Sequence, residues 1–216
     1  MILNAELVKK WDLHPTGVIV VGGWEGTEEY EPLMEIKCKD IVFIEPQKEV
    51  FKKLTSKGFE HSTFINSALG NENKLMVMFT ETDNRGQSSS LLKPMLHTTQ
   101  YPHIKFPSRE IVKMQRMDEL KLDFKKYNTL LIDVQGYELE VLKGAENSLK
   151  YVDIIIAEWN TAELYKGCPM WDELTEHLRI RGFKMIDTDP MGGNWGDALY
   201  VRKSPKNTDP EFIMGL

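Results

Sequence analysis

The stretch that decides the fold is Val18-Ile19-Val20-Val21-Gly22-Gly23-Trp24-Glu25-Gly26-Thr27-Glu28-Glu29. Its four β-branched residues form a short, wholly apolar run bounded by glycine, which fits a strand covered on both faces. Gly22, Gly23 and Gly26 let the backbone approach a ligand closely, and the helix expected to follow offers free N–H groups at its start. About twenty residues on, Phe43-Ile44-Glu45-Pro46 closes a second apolar run with a carboxylate, where nucleoside-binding sheets set an acid against ribose hydroxyls. The glycine order is G-G-x-x-G and not G-x-G-x-x-G, which lowers the case for a dinucleotide.

Outward from this turn, Val- and Ile-rich runs alternate with segments of helical period. That pattern predicts an α/β fold, a largely parallel sheet joined by crossover helices. Strands are expected at 18–21, 41–45, 63–66, 129–134 and 154–158, and helices at 27–36, 48–56, 138–149 and 171–181. Gly58 and Gly182 stand where helix-ending glycines belong. Runs at 75–80 and 111–114 read as extra strands around a long irregular segment, 83–108, expected to face the substrate. Runs at 183–187 and 198–202 read as a closing antiparallel hairpin. One domain is expected over 1–203, with a tail at 204–216.

The sequence has 216 residues, a net charge of −6 and 41% hydrophobic residues, enough apolar content to build a core without covalent staples. Two cysteines, Cys38 and Cys168, indicate neither a disulfide framework nor a zinc site. No secretory signal or membrane-length apolar stretch is evident, so the expectation is a cytoplasmic protein with no membrane partner. The acidic balance disfavours nucleic acid as a partner, since phosphate binding needs clustered Lys and Arg. Composition does not address the oligomeric state.

A further string, Ile132-Asp133-Val134-Gln135-Gly136-Tyr137-Glu138-Leu139-Glu140-Val141-Leu142-Lys143-Gly144-Ala145, carries the most specific signal. With Phe43-Ile44-Glu45-Pro46, Asn66-Ser67-Ala68-Leu69, Ser89-Ser90-Leu91-Leu92, Met117-Asp118-Glu119-Leu120 and Ile156-Ala157-Glu158, it resembles the FkbM family of S-adenosylmethionine (SAM)-dependent O-methyltransferases. The resemblance runs from about 18 to 201. It implies a class I methyltransferase (Rossmann-like) sheet, mostly parallel, flanked by helices and with an antiparallel strand near one edge. It also implies SAM as cofactor, with Gly22, Gly23 and Gly26 beneath the methionine part and Glu28 facing its amino-acid end. Glu45 would then hold the ribose, and Asn66, Ser67 and Ala68 would lie near the adenine. The sequence departs from the family pattern at Val20, where many relatives carry Asp or His, and at Gly23-Trp24; Val20 is expected simply to pack in its strand.

Methyl transfer to a hydroxyl requires an in-line acceptor oxygen and removal of its proton. Asp133 is the first choice as base and Glu158 the second carboxylate. Together, with Gln135 or Asn160, they could instead bind a divalent cation such as Mg²⁺. Ser89, Ser90, His97, Gln135 and Asn160 are candidate acceptor contacts; Glu138 serves structure or catalysis, and Asp197 supports the site. Family analogy favours a hydroxyl of a sugar, in a glycan or its precursor, with a small natural product as the alternative acceptor. Two other readings stay open: a non-catalytic SAM- or glycan-binding module, and an NAD-dependent oxidoreductase, for which no convincing hydride-transfer pair is found.

Overall fold

The structure, a computed structural model, describes residues 1–81 and 85–202; the predicted tail at 204–216 and loop residues 83 and 84 lie outside the described residues. Its elements run α1 (Ala5–Trp11), β1 (Gly17–Val21), α2 (Thr27–Glu35), β2 (Asp40–Ile44), α3 (Lys48–Ser56), β3 (Ser62–Ile65), β4 (Ala68–Leu69) and β5 (Lys74–Thr80). They continue with α4 (His97–Gln100), β6 (Ser108–Gln115), β7 (Thr129–Ile132), α5 (Glu138–Lys143), β8 (Ile154–Asn160), α6 (Trp171–Arg179), β9 (Lys184–Gly192) and β10 (Trp195–Val201).

Seven strands form the main sheet in the order β3-β2-β1-β7-β8-β10-β9. The pairs from β3 to β8 are parallel, whereas β10 runs antiparallel to both β8 and β9. The chain order reverses between β1 and β7, the switch point at which open α/β sheets bind ligands beyond the carboxyl ends of their strands.

The apolar run of β1 is explained by its two covered faces. Val18 and Val20 pack into the layer that holds Leu7, Leu33 and Leu54 from α1, α2 and α3. Ile19 and Val21 pack on the other face with Val141, Leu142, Leu174 and Leu178 from α5 and α6. Each such fully buried side chain contributes roughly 1.5–3 kcal/mol, so the paired layers fix the strand's register from both sides. Val20 is buried within β1, as its expected packing role requires.

The segments at 75–80 and 111–114 are strands, β5 and β6, and pair antiparallel in a separate three-stranded sheet, β4-β6-β5. The chain between them is less irregular than its composition suggests. It returns to the edge of β5 through paired Phe79–Ser90 backbone hydrogen bonds of 2.7 and 3.0 Å, and it holds the short α4. The helix expected at 138–149 stops at Lys143. A Cβ on the next residue, Gly144, would stand 2.0 Å from the Gly70 carbonyl oxygen, so the chain crosses that backbone before resuming as a 3-10 turn, Ser148–Tyr151. Asp118 fixes this turn by accepting from the backbone N–H groups of Asn147 and Ser148 and from the Ser148 hydroxyl.

Candidate active site

The turn after β1 is built backbone against backbone. The N–H groups of Gly22 and Gly23 both donate to the Ile44 carbonyl at 3.0 Å, which ties the turn to β2. Gly22 has φ +83°, and a Cβ there would lie 1.7 Å from the carbonyl oxygen of Asp133. At Gly26, also of positive φ, a Cβ would meet Leu54 and Phe59 at 2.6 and 2.8 Å. The motif glycines therefore answer first to close packing within the protein. Only Gly22 of the three lines the cavity that opens above the strand ends; Gly23 and Gly26 lie behind it, against Phe43 and α3.

That cavity encloses about 490 Å³ and runs along the carboxyl ends of β2, β1, β7 and β8. At one end Glu45, buried at the end of β2, accepts from the Trp24 N–H at 3.1 Å and the Gln47 N–H at 2.7 Å. Burial pushes its carboxyl up to about 8 despite those two donors. Ser67 and Ala68 line the same end, whereas Asn66 turns away and donates to the carbonyls of Glu45 and Pro46. The 85–91 segment closes over this end. Gly86 donates to Glu81 and accepts from Gln47, and the Trp24 indole donates to the Arg85 carbonyl at 2.9 Å.

Glu28 and Glu29 face the cavity from the first turn of α2. Glu28 is the acid expected from the sequence, and Glu29 adds a second. Glu29 lies one helical turn before the fully buried Leu33, on the inner face of α2, and its Oε2 is buried without a partner among the described residues. Burial raises its carboxyl to about 7.

The chemistry-bearing centre sits where β7 and β8 end. The Asp133-Val134-Gln135-Gly136 turn has left-handed backbone at Gln135 (φ +55°) and Gly136 (φ +94°). It is held by Glu138, which is completely buried and accepts from the N–H groups of Val134 and Gly136 at 3.1 Å each. Glu138 does not line the cavity, so its part is to shape this turn. The turn aims the Gln135 side chain so that its amide N–H groups donate to Asp133 at 2.8 Å and to Glu158 at 3.0 Å. The amide oxygen lies 2.8 Å from the Tyr165 hydroxyl, and the Gln135 carbonyl accepts from the Ser90 hydroxyl at 2.7 Å.

Asp133 and Glu158 thus share one donor group, Glu158 buried and Asp133 exposed to the cavity. Desolvation inside that cavity raises the carboxyl of Asp133. Burial, then the negative charges of Asp133 and Glu138, raise that of Glu158 well above the usual range. The raised proton affinity equips either carboxylate, once ionised, to accept a proton. Asn160 is buried behind Glu158 and donates to it at 3.4 Å; like Ser90 it supports the centre without lining the cavity.

Ser89, His97 and Gln135 line the cavity. His97 packs among Tyr101, Phe106 and Tyr165 with ring centroids 5.1–5.4 Å away, and burial lowers its imidazole to about 4, so it is neutral at physiological pH. Tyr101 accepts from the Trp195 indole N–H at 2.8 Å, and these two rings complete the wall at this end. Asp197, which also faces the cavity, binds the amino group of Met1. Trp159 and Trp171 belong to the core, packed edge to face.

Among the described residues no group of three or more His, Cys, Asp or Glu side chains could hold a metal ion. Asp133 and Glu158 each accept from the Gln135 amide, so the oxygens facing each other are engaged by N–H donors, and this donor set does not fit a resident divalent cation. Among the described residues no helix is long and apolar enough to cross a membrane.

The strand order, with one reversed strand inserted next to the last, differs from the all-parallel order of dinucleotide-binding sheets. It matches solved methyltransferases over most of their length. A SAM-dependent methyltransferase from Aquifex aeolicus aligns with TM-score 0.51 and 14% identity over 93% of this chain and 91% of its own. Magnesium protoporphyrin IX methyltransferase from Synechocystis PCC 6803, solved with bound SAM, aligns with TM-score 0.52 and 12% identity over 92% and 76%. At such identities the likeness shows the fold, a class I methyltransferase fold. In sequence, a stretch of 82 residues is 28% identical to 2-O-methyltransferase NoeI of Sinorhizobium fredii, covering 37% of this chain and 34% of that relative, about a third of its length. The family described as Methyltransferase FkbM domain matches residues 17–185, from the first residue of β1 into β9. With that match spanning the site and most of the sheet, the chain belongs to the FkbM methyltransferase family.

Proposed function

We propose that this protein is a SAM-dependent O-methyltransferase that acts on a ring hydroxyl of a sugar, in a glycan or a glycan precursor. The observation that carries this reading is the carboxylate pair Asp133–Glu158, bridged by Gln135 at the switch point of the sheet and opening on the same cavity as Glu45. The family membership and the 2-O-methyltransferase relative support oxygen as the acceptor atom.

The residues at the other end of the cavity fit the cofactor. Glu45 has lone pairs left after its two backbone bonds and can accept from ribose hydroxyls; Ser67 and Ala68 border the space beyond it. Glu29 and Glu28 suit the protonated amino group of the cofactor's zwitterionic amino-acid end, and Gly22 keeps the floor low between the two regions. When bound, SAM supplies a methyl group already activated by its sulfonium. The protein's own task is to place the acceptor oxygen and take its proton. Asp133, the carboxylate exposed to the cavity, receives that proton, while Gln135 fixes it and links it to Glu158 through the same amide.

The test is incubation with SAM and a panel of oligosaccharides, followed by mass spectrometry. A gain of one methyl group on a sugar ring, lost in Asp133→Asn, is the expected result. Methylation confined to nitrogen or to a non-sugar acceptor would overturn the sugar assignment.

A further inference from the structure

At the acceptor end Asp133, Glu158 and Asp197 line the cavity, and no Lys or Arg among the described residues does. The amino group of Met1 is bound to Asp197, and His97 is neutral. A phosphate or carboxylate on an acceptor needs a cation, or several N–H donors, to replace its water. The backbone N–H groups of Val134 and Gly136, at this end, already serve Glu138.

The acceptor end has a second property. His97, Tyr101 and Trp195 give the cavity an aromatic wall, with the His97 and Tyr101 rings tilted 49° to each other. Gly192 makes that wall fit together: a Cβ there would stand 2.8 Å from the Trp195 indole nitrogen and 2.9 Å from the Tyr101 hydroxyl. His97 is 5% exposed, and its Nδ1 is buried without a partner among the described residues, so one polar atom of this wall remains unused there. Flat aromatic faces with a few hydrogen-bonding tips suit a ring that has one apolar face and a polar rim.

We infer that the acceptor site selects a neutral or amine-bearing ring, stacked on the wall of His97, Tyr101 and Trp195, and rejects rings that carry phosphate or carboxylate. Resting on the methyltransferase reading, this narrows its acceptor to a finished neutral or amino sugar unit and sets aside nucleotide-activated and phosphorylated precursors. An anion set about 8 Å from one ionised carboxylate loses roughly tenfold or more in affinity at an effective dielectric near 20. An entering phosphate would also push the remaining acids to take up protons.

The experiment uses the full chain loaded with S-adenosylhomocysteine, itself titrated first by calorimetry. Ligand-observed NMR then scores matched ring probes at millimolar concentration: methyl glycosides, methyl glycosides of amino sugars, the corresponding sugar 1-phosphates, uronic acids and UDP-sugars. Site binding is defined by its loss in Trp195→Ala and, independently, in His97→Leu. The expected result is binding of neutral or amino probes at least tenfold tighter than of their anionic counterparts. Met191→Lys, at an exposed position on the cavity rim, should narrow that ratio by about tenfold. Anionic probes binding as well as their parents, or no site-specific binding by any probe, overturns the inference. Failure of S-adenosylhomocysteine to bind would instead strike the methyltransferase reading beneath it.

Discussion

Gly22 offers the sharpest test of how the site is built. In Gly22→Ala the new methyl would lie 1.7 Å from the Asp133 carbonyl oxygen and 2.8 Å from its carbonyl carbon. Neither neighbour is a flexible side-chain tip, so β1 and β7 would have to part at the point where the Asp133 N–H donates to the Val21 carbonyl. The left-handed φ of +83° adds about 1–2 kcal/mol for any residue with a Cβ. Forced separation of packed backbone adds roughly 1–3 kcal/mol. The total, about 2–5 kcal/mol, is a large share of the ~5–15 kcal/mol that holds a domain together. Two other glycines calibrate it. Gly58 has φ +65° with open space around its would-be Cβ, so Gly58→Ala should cost only about 1 kcal/mol. Gly193 has open space and no positive φ, so Gly193→Ala should be neutral. Urea unfolding of the three variants at constant m-value gives the comparison directly. If Gly22→Ala cost no more than Gly58→Ala, the claim that this glycine serves backbone packing before ligand contact would be refuted.

Further outcomes follow from the buried acids. Glu158→Gln should remove like-charge repulsion and raise the melting temperature at pH 8, while Asp133→Asn should lower kcat by about 10²–10⁴; equal activity of Asp133→Asn and wild type would remove Asp133 from its role. Glu45, raised from 4.5 to about 8, stabilises the fold fully below its unfolded value, and this contribution is lost as pH rises through the folded value. Unliganded protein should therefore lose about 2–3 kcal/mol from this group between pH 6 and pH 9, and Glu45→Gln should flatten that slope in denaturant titrations. Asp118→Ala, which strips the cap from the turn at Ser148–Tyr151, should cost about 2–3 kcal/mol in stability yet leave KM for SAM within about twofold.

Much of this arrangement is written in local sequence. The run 18–21 specifies β1 because each of its residues has a core to enter, and the strand-end acids Glu45 and Glu158 end where apolar runs end. The helix α1 carries local signals too, since Asn4 caps it by accepting from the Leu7 N–H and Leu7 and Trp11 recur at helical spacing, although its seven residues are too few to establish a period. Glu29 could be found from its place one turn before Leu33. What local sequence does not hold is the long-range part. The early end of α5 depends on Gly144 meeting Gly70, which is 74 positions away in the chain by their numbers. The bridge from Gln135 to both acids depends on a left-handed backbone that the buried Glu138, the Ser90 hydroxyl and the docking of Tyr165 hold. The wall of His97, Tyr101 and Trp195 likewise joins a loop to the last hairpin, a pairing no periodicity reports.

The most direct measurement is calorimetric titration of the protein with SAM, S-adenosylhomocysteine and NAD, each with Mg²⁺ and with a chelator. The account predicts saturable one-to-one binding of SAM and S-adenosylhomocysteine, weakened by Glu45→Gln and indifferent to the cation, with no binding of NAD. Binding of NAD with neither SAM species bound would contradict it.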